Sequence, residues 1–178
     1  MKAQGPLTFS TSTTLPVDLD LGTNYTSCVA PGTKSFSFTV AGVGTLNTTT
    51  NQLAEVNIRL DATCGASLTT LQCWLKSPAG TCVQICSTMG TTTNYTVAPQ
   101  NRLDYTFRNN VTCLNKAPDY SAFPSTVPSA SNLSGRYGIF STVGDIAASY
   151  NGENANGTWT LYFSEGTASA PCVSNLSL

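Results

Sequence analysis

Residues 159–163 read Trp-Thr-Leu-Tyr-Phe, and this stretch decides the fold because large apolar side chains occupy positions 159, 161 and 163. Successive side chains of a β-strand point to opposite faces, so this alternation predicts a strand with one face in a core and the other in solvent. The same period of two recurs in seven further apolar sets: Val17, Leu19 and Leu21; Phe36, Phe38 and Val40; Val56, Ile58 and Leu60; Leu71, Cys73 and Leu75; Val83 and Ile85; Leu103, Tyr105 and Phe107; Leu176 and Leu178. No long window carries the apolar stripe of an amphipathic helix, and the pattern therefore predicts an all-β protein.

Turn chemistry separates these runs. Residues 77–80 read Ser-Pro-Ala-Gly, the pattern of a type I turn in which Pro78 presets φ and Gly80 closes the turn. Asn-Gly dipeptides at 151–152 and 156–157 offer residues that tolerate positive φ just before the strand of Trp159. Many short strands without helices between them predict a β-sandwich or a jelly roll. A length of 178 residues suits one domain over 1–178, in which we expect residues 1–15 to form an extended N-terminal segment.

The charge inventory excludes two classes of partner. Only 10% of the residues are charged, the formal net charge is −1, and the eight basic residues form no cluster. A nucleic-acid-binding surface needs clustered Lys and Arg, so no nucleic acid is expected as a partner. No apolar stretch approaches the ~20 residues that a bilayer-spanning helix needs, so no membrane span is expected.

The sequence also offers few of the residue types that act in catalysis. The chain contains no histidine, which excludes Ser-His-Asp and Cys-His pairs and every histidine-liganded metal. A glycosidase would need two facing carboxylates. Asp104, Asp145 and Glu153 could supply such a pair only by converging from separate strands and loops. We therefore predict that the protein has no catalytic residues and is not an enzyme.

Seven cysteines indicate disulfide bonds and hence a secreted or cell-surface protein: Cys28, Cys64, Cys73, Cys82, Cys86, Cys113 and Cys172. The odd number leaves at least one thiol outside any intramolecular disulfide, so self-association through that cysteine is an alternative. The pairing is open; a bond from Cys28 to Cys172 is one hypothesis, because it would hold the first and last strands together. The start lacks an apolar leader and a strand pattern runs to Leu178, which suggests a domain cut from a longer exported protein.

Calcium and glycans are the two ligands for which the sequence offers candidates. Hard cations prefer several oxygen ligands, and four acidic residues could contribute to a Ca²⁺ site: Asp18, Asp20, Asp145 and Glu153. The alternative is that these are solvated side chains, and we predict no cofactor. Exposed aromatic rings can stack on sugars, and three tyrosines at loops or strand ends are candidates: Tyr95, Tyr137 and Tyr150. The alternative is that each packs under a loop with its hydroxyl bonded to the backbone.

Two segments, 56–86 and 134–165, are more distinctive than the alternation around them. The first contains the motif Leu-X-Ser-Pro-X-Gly-Thr at 75–81, and the second contains Gly-X-Trp-X-Leu at 157–161, preceded by Tyr150 and Gly152. Together they resemble the P domain of proprotein convertases (the P/Homo B family). The chain departs from that family at two segments that commonly carry acidic residues and that here read Ala-Ser-Leu at 66–68 and Phe-Arg-Asn-Asn at 107–110. These departures weaken the transfer of a calcium site.

The resemblance implies a two-sheet antiparallel jelly-roll β-sandwich of the galactose-binding-like type and a non-catalytic role. In convertases the P domain accompanies a separate catalytic domain, so the expected function is an accessory or interaction module that stabilises or targets a larger extracellular assembly. Its partner would be a neighbouring domain or a surface protein. Pro78, Gly80 and Trp159 then have structural roles in a turn and in the core. The alternatives are a carbohydrate-binding module and a self-assembling subunit of a cell surface.

Overall fold

The computed structural model of the protein describes residues 7–15, 17–18, 28, 34–48, 53, 55–61, 72–86, 96–97, 102–108, 132–133, 135–139, 146–164 and 172–178. In these ranges the elements are β1 (Val17–Asp18), β2 (Lys34–Val40), β3 (Glu55–Asp61), β4 (Gln72–Lys76), β5 (Cys82–Cys86), β6 (Thr96–Val97), β7 (Arg102–Arg108), β8 (Asn132–Leu133), β9 (Gly135–Ile139), α1 (Ile146–Ser149), β10 (Gly157–Ser164) and β11 (Cys172–Ser177). The all-β prediction is confirmed for these residues, and α1 is a single four-residue turn of helix. None of the helical structure described is long or apolar enough to cross a membrane.

The strands within the described ranges form three sheets. A five-stranded sheet has the order β1-β11-β3-β7-β9, a four-stranded sheet the order β2-β10-β4-β5, and β6 pairs with β8. Most neighbours are antiparallel, but β9 runs parallel to β7 and β8 runs parallel to β6. The antiparallel arrangement expected from the sequence therefore holds for most of the described strand pairs but not for these two. Side chains alternate with the same period in both kinds of ladder, so the alternation that predicted the strands carried no information about their relative direction.

The four-stranded sheet aligns its apolar residues in rows. Leu161 in β10 is the Cα partner of Phe36 in β2 on one side and of Leu75 in β4 on the other. Leu75 in turn pairs with Val83 in β5. All four side chains are buried. One face of this sheet is therefore apolar across its whole width, as the period-two pattern predicted.

The core draws on both larger sheets and on the segment before β10. The buried cluster consists of Phe36, Phe38, Val40, Leu46, Val56, Ile58, Cys73, Leu75, Val83, Ile85, Ile146, Tyr150, Ala155, Trp159, Leu161, Phe163, Leu176 and Leu178. Within it the rings of Phe36 and Phe163 meet edge to face, with centroids 5.7 Å apart. Burial of these side chains supplies the main driving force for folding, at roughly 25 cal/mol per Å² of apolar surface removed from water.

The first and last parts of the chain lie side by side. In the five-stranded sheet Val17 of β1 is the Cα partner of Val173 in β11. Before β1, Phe9 and Leu178 exchange two backbone hydrogen bonds, of 3.0 and 2.9 Å. Of the segment expected over residues 1–15, which is described from residue 7, Phe9 and Ser10 lie against the end of β11, whereas Thr11 and Ser12 bond to Ser37 O in β2. Phe9 also packs on the core. Leu178 follows β11 and is buried.

The disulfide found among the described residues joins Cys28 to Cys82, with a Cα–Cα distance of 6.1 Å. The hypothesis of a bond from Cys28 to Cys172 is therefore wrong. Cys172 lies in β11, where its Cα partners are residues 18 and 61, so backbone ladders hold the first and last strands together. Cys73 is buried in β4, and its Cα partner across the ladder is Cys86. The two remaining cysteines, Cys64 and Cys113, lie outside the described residues.

Candidate functional site

Several of the residues singled out by the sequence meet at one corner of the four-stranded sheet. The turn between β4 and β5 packs there against the segment that leads from α1 into β10. We call residues 75–81 and 150–159 the corner cluster; it includes Pro78, Gly80, Tyr150, Glu153 and Trp159. The two motifs that carry the P-domain resemblance therefore contribute to the same cluster.

The turn at residues 77–80 has the predicted geometry. Gly80 N donates to Ser77 O at 3.0 Å, which closes the four-residue turn, and Ser77 N donates to Thr81 O at 2.9 Å. Pro78 stands at the position where its ring presets φ. Gly80 has φ of 101°, a conformation that an L side chain rarely adopts. Pro78 and Gly80 therefore occupy the positions in this turn that the sequence motif predicts.

Tyr150 is buried and is not available to a ligand at the surface. The prediction that it is an exposed aromatic for sugar binding is therefore wrong. Its hydroxyl donates to Leu75 O at 2.7 Å. Its ring meets Trp159 edge to face, with centroids 4.9 Å apart, and Trp159 Nε1 donates to Ala155 O at 2.8 Å. Tyr150 thus realises the alternative role, in which the hydroxyl satisfies a backbone group. Tyr137 lies in β9, and Tyr95 lies outside the described residues.

Replacing Tyr150 with phenylalanine is expected to lower the free energy of unfolding by about 1–2 kcal/mol, because the carbonyl of Leu75 then stays buried without its donor. Burial, followed by the negative charge of Glu153, raises the pKa of Tyr150 far above its usual 10.0. Below about pH 10 the folded and unfolded states both keep the proton. Above it only the unfolded state releases the proton, so stability falls by about 1.4 kcal/mol per pH unit.

Urea unfolding of the wild type and of Tyr150→Phe between about pH 8 and 12 measures both effects. The wild type is expected to lose stability more steeply than the variant above pH 10. Equal slopes for the two proteins would contradict a buried, protonated Tyr150.

Glu153 connects the turn to the segment before β10. One carboxylate oxygen, Oε1, accepts a hydrogen bond from Thr81 Oγ1. The backbone N of Glu153 donates to Tyr150 O at 3.1 Å, and its carbonyl accepts from Leu46 N at 2.7 Å. Glu153 Oε2 and Ser77 Oγ are buried, and no described residue bonds to either atom. Glu153 therefore links three chain segments through its own bonds.

The other acidic candidates lie elsewhere in the chain. Asp18 is in β1, and Asp104 is in β7 of the five-stranded sheet. Asp20 and Asp145 lie outside the described residues. Among the residues that the structure describes, no group of three or more His, Cys, Asp or Glu side chains could hold a metal ion.

A third segment, residues 42–46, is attached to the corner cluster by bonds that the sequence analysis did not anticipate. Asn156 Oδ1 accepts from Val43 N at 3.0 Å and from Gly44 N at 3.4 Å. Ala155 N donates to Gly44 O at 2.8 Å, and Gly152 N donates to Leu46 O at 2.9 Å. Asn156 was identified only as a turn residue. The Asn-Gly dipeptide signals the turn, but it gives no sign of a partner more than a hundred residues away.

The side chains and backbone groups of the corner cluster connect separate chain segments to one another. Its polar side chains are mainly hydroxyls and amides, with one carboxylate (Glu153), one amine (Lys76) and one indole N–H (Trp159), and several of them bond to backbone or side chains of the same cluster. A scan against family models, curated proteins and solved structures finds no match to this chain. The resemblance to the P domain thus stays a prediction that depends on the two sequence motifs.

Proposed function

We propose that the protein is a non-catalytic accessory module of a secreted or cell-surface assembly, similar to the P domain of proprotein convertases. The observation that carries the proposal is the packing of the two motifs against each other. Leu161 of the second motif is the Cα partner of Leu75 of the first, and a Cβ added to Gly157 would lie 2.9 Å from Pro78 Cβ. The motif residues therefore serve turn geometry and core packing, which is the role that a module without chemistry of its own requires.

The proposed architecture is a two-sheet jelly-roll sandwich. It is supported by the buried cluster, to which β2, β4, β5 and β10 contribute from one larger sheet and β3 and β11 from the other. Where the described residues contain only one short helix, two sheets bury their apolar faces most simply against each other. The proposed location outside the cell is supported by the Cys28–Cys82 disulfide, because disulfides persist in oxidising compartments.

Crosslinking in the source organism tests the accessory role. The tagged chain, exported from its own cells, is treated with a membrane-impermeant amine crosslinker. We expect recovery of one defined protein or covalently linked neighbouring domain in a fixed ratio. Trp159→Ala, which destabilises the fold, serves as the control and is expected to reduce the crosslink. Recovery of the chain without any protein neighbour would contradict the proposal, and so would turnover of a substrate by the purified chain.

A carbohydrate-binding module is the second candidate, because the outward face of β2 and β10 is uncharged and rich in hydroxyl groups. Three cross-strand pairs lie in consecutive rows on it: Ser35 with Tyr162, Ser37 with Thr160, and Thr39 with Thr158. Tyr162 is half-buried and the β2 residues are exposed. A glycan array separates the candidates: binding that disappears in Tyr162→Ala would favour the carbohydrate-binding module. A multimer that dissociates under reducing agent would instead favour a self-assembling surface subunit.

A further inference from the structure

The edge strand β5 begins and ends with a cysteine. It runs from Cys82 to Cys86, and its neighbour in the four-stranded sheet is β4. Cys82 is bonded to Cys28, so a disulfide already fixes the first residue of the strand. An edge strand leaves the backbone groups on its outer side without a strand partner. Within the described sheet, the last residue of β5 is therefore held through the ladder with β4.

A β-bulge brings Cys86 opposite Cys73 in that ladder. Three regular pairs precede the bulge: Lys76 with Cys82, Leu75 with Val83, and Trp74 with Gln84. If this register continued, Cys73 would pair with Ile85. The register instead shifts by one residue, and the Cα partner of Cys73 is Cys86. A bulge sets two residues of one strand opposite one residue of the other, and here it pairs two cysteines.

The register is compatible with a covalent bond between these two residues. Directly paired residues of an antiparallel ladder have Cα atoms about 4.5–5.5 Å apart. A disulfide needs a Cα–Cα distance of about 4.4–6.8 Å. The two strands also stay in contact at this end of the ladder, because Gln84 Nε2 donates to Gln72 Oε1 at 3.3 Å.

The surroundings of Cys73 favour an uncharged form of its sulfur. Cys73 is a thiol in the structure, and it is 0% exposed among the apolar side chains of the core. Apolar surroundings disfavour a thiolate, whereas a disulfide carries no charge. The core can therefore hold a disulfide at this position without burying a charge.

We propose that oxidation joins Cys73 to Cys86 in a second disulfide, which fixes the last residue of β5 as the Cys28–Cys82 bond fixes the first. The oxidant is a disulfide, either a small one such as oxidised glutathione or that of an oxidoreductase. The thiolate of Cys86 attacks the oxidant, a mixed disulfide forms, and one sulfur of the oxidant leaves as a thiolate. The thiolate of Cys73 then attacks Cys86 Sγ, and the second sulfur of the oxidant leaves. The two cysteines lose two electrons and two protons, and the oxidant becomes two thiols.

The burial of Cys73 determines when the bond forms. An oxidant does not reach a side chain that is 0% exposed, so the first attack takes place at Cys86. The second attack needs the thiolate of Cys73, which the folded core disfavours. We therefore expect the bond to form while β4 and β5 are pairing, before the core closes around Cys73. The proposed location outside the cell matters only as the source of the oxidant, and a glutathione buffer supplies that oxidant in vitro.

Refolding of the reduced full chain in a glutathione redox buffer tests the bond. The remaining thiols are alkylated in denaturant, and the chain is digested without reduction. Cleavage after Lys76 separates β4 from β5, and cleavage after Leu71 separates Cys73 from Cys64. Mass spectrometry with fragmentation of the linked peptides is expected to find Cys73 bonded to Cys86. Alkylation of both residues, or a bond from either one to another cysteine, would overturn the proposal.

Urea unfolding separates the bond from the packing of the side chains. Cys86→Ser is expected to unfold at a lower urea concentration than the wild type, and most of this difference is expected to disappear in dithiothreitol, which reduces the wild type as well. Ile85→Val is the matched control in the same strand, because the loss of a buried methyl group does not depend on the reductant. If the loss for Cys86→Ser is as large with dithiothreitol as without it, the two sulfurs are not bonded.

Discussion

Replacing Trp159 with alanine is expected to lower the free energy of unfolding by about 3–5 kcal/mol, the cost of removing the largest buried side chain of the core. Three contributions are lost together. The indole fills the core behind β10, its edge-to-face contact with Tyr150 disappears, and Ala155 O loses the donor at Trp159 Nε1. Because small domains are stable by only about 5–15 kcal/mol, a loss of this size unfolds a substantial fraction of the chains under mild conditions.

Urea unfolding followed by circular dichroism, with the disulfide kept oxidised, measures this loss. Thr158→Ala is the matched control, because Thr158 lies one residue away in β10 but is exposed on the outward face. That control is expected to change stability by no more than about 0.5 kcal/mol. A loss below about 1 kcal/mol for Trp159→Ala would mean that the indole is not an essential part of the core.

Alternation in the sequence predicted β2, β5 and β10 and the face that each of them buries, but it did not single out β6, β8 or β9. The residues at 36, 38 and 40, at 159, 161 and 163, and at 83 and 85 are all buried, as the period of two requires. The turn at 77–80 was also predictable, because proline and glycine restrict the backbone locally. The relative direction of the strands was not predictable, because side chains alternate in the same way in parallel and antiparallel pairs. The parallel pairing of β9 with β7 is an example.

The corner cluster was predictable only in part. Pro78, Gly80 and Trp159 were assigned structural roles from motifs that are local in sequence. The hydroxyl of Tyr150 and the carboxylate of Glu153 reach partners about 75 residues away, at Leu75 and Thr81. No local pattern encodes such distances. The same limit explains the disulfide: Cys28 and Cys82 are 54 residues apart, and seven cysteines allow many pairings.

Gly157→Ala is expected to be the second most damaging substitution, with a loss of about 2–4 kcal/mol, because two separate costs coincide at this residue. Its φ of 132° is a conformation that L side chains rarely adopt, which costs about 1 kcal/mol or more. An added Cβ would also lie 2.9 Å from Pro78 Cβ and 3.2 Å from Pro78 Cγ. Pro78 belongs to the closed turn, so its ring cannot move away without opening the bond from Gly80 N to Ser77 O.

A matched glycine separates the two costs. Gly152 has φ of 85°, but an added Cβ there meets nothing within 4 Å, so Gly152→Ala is expected to show the backbone cost alone. The difference between the two variants, about 1–3 kcal/mol, measures the contact between the two sequence motifs. Adding Pro78→Gly to Gly157→Ala removes the clashing carbon, so the double variant is expected to lose less than the sum of the two single losses. If the losses of Gly157→Ala and Gly152→Ala are equal, or if the double variant is strictly additive, the turn and β10 do not pack as closely as the corner cluster requires.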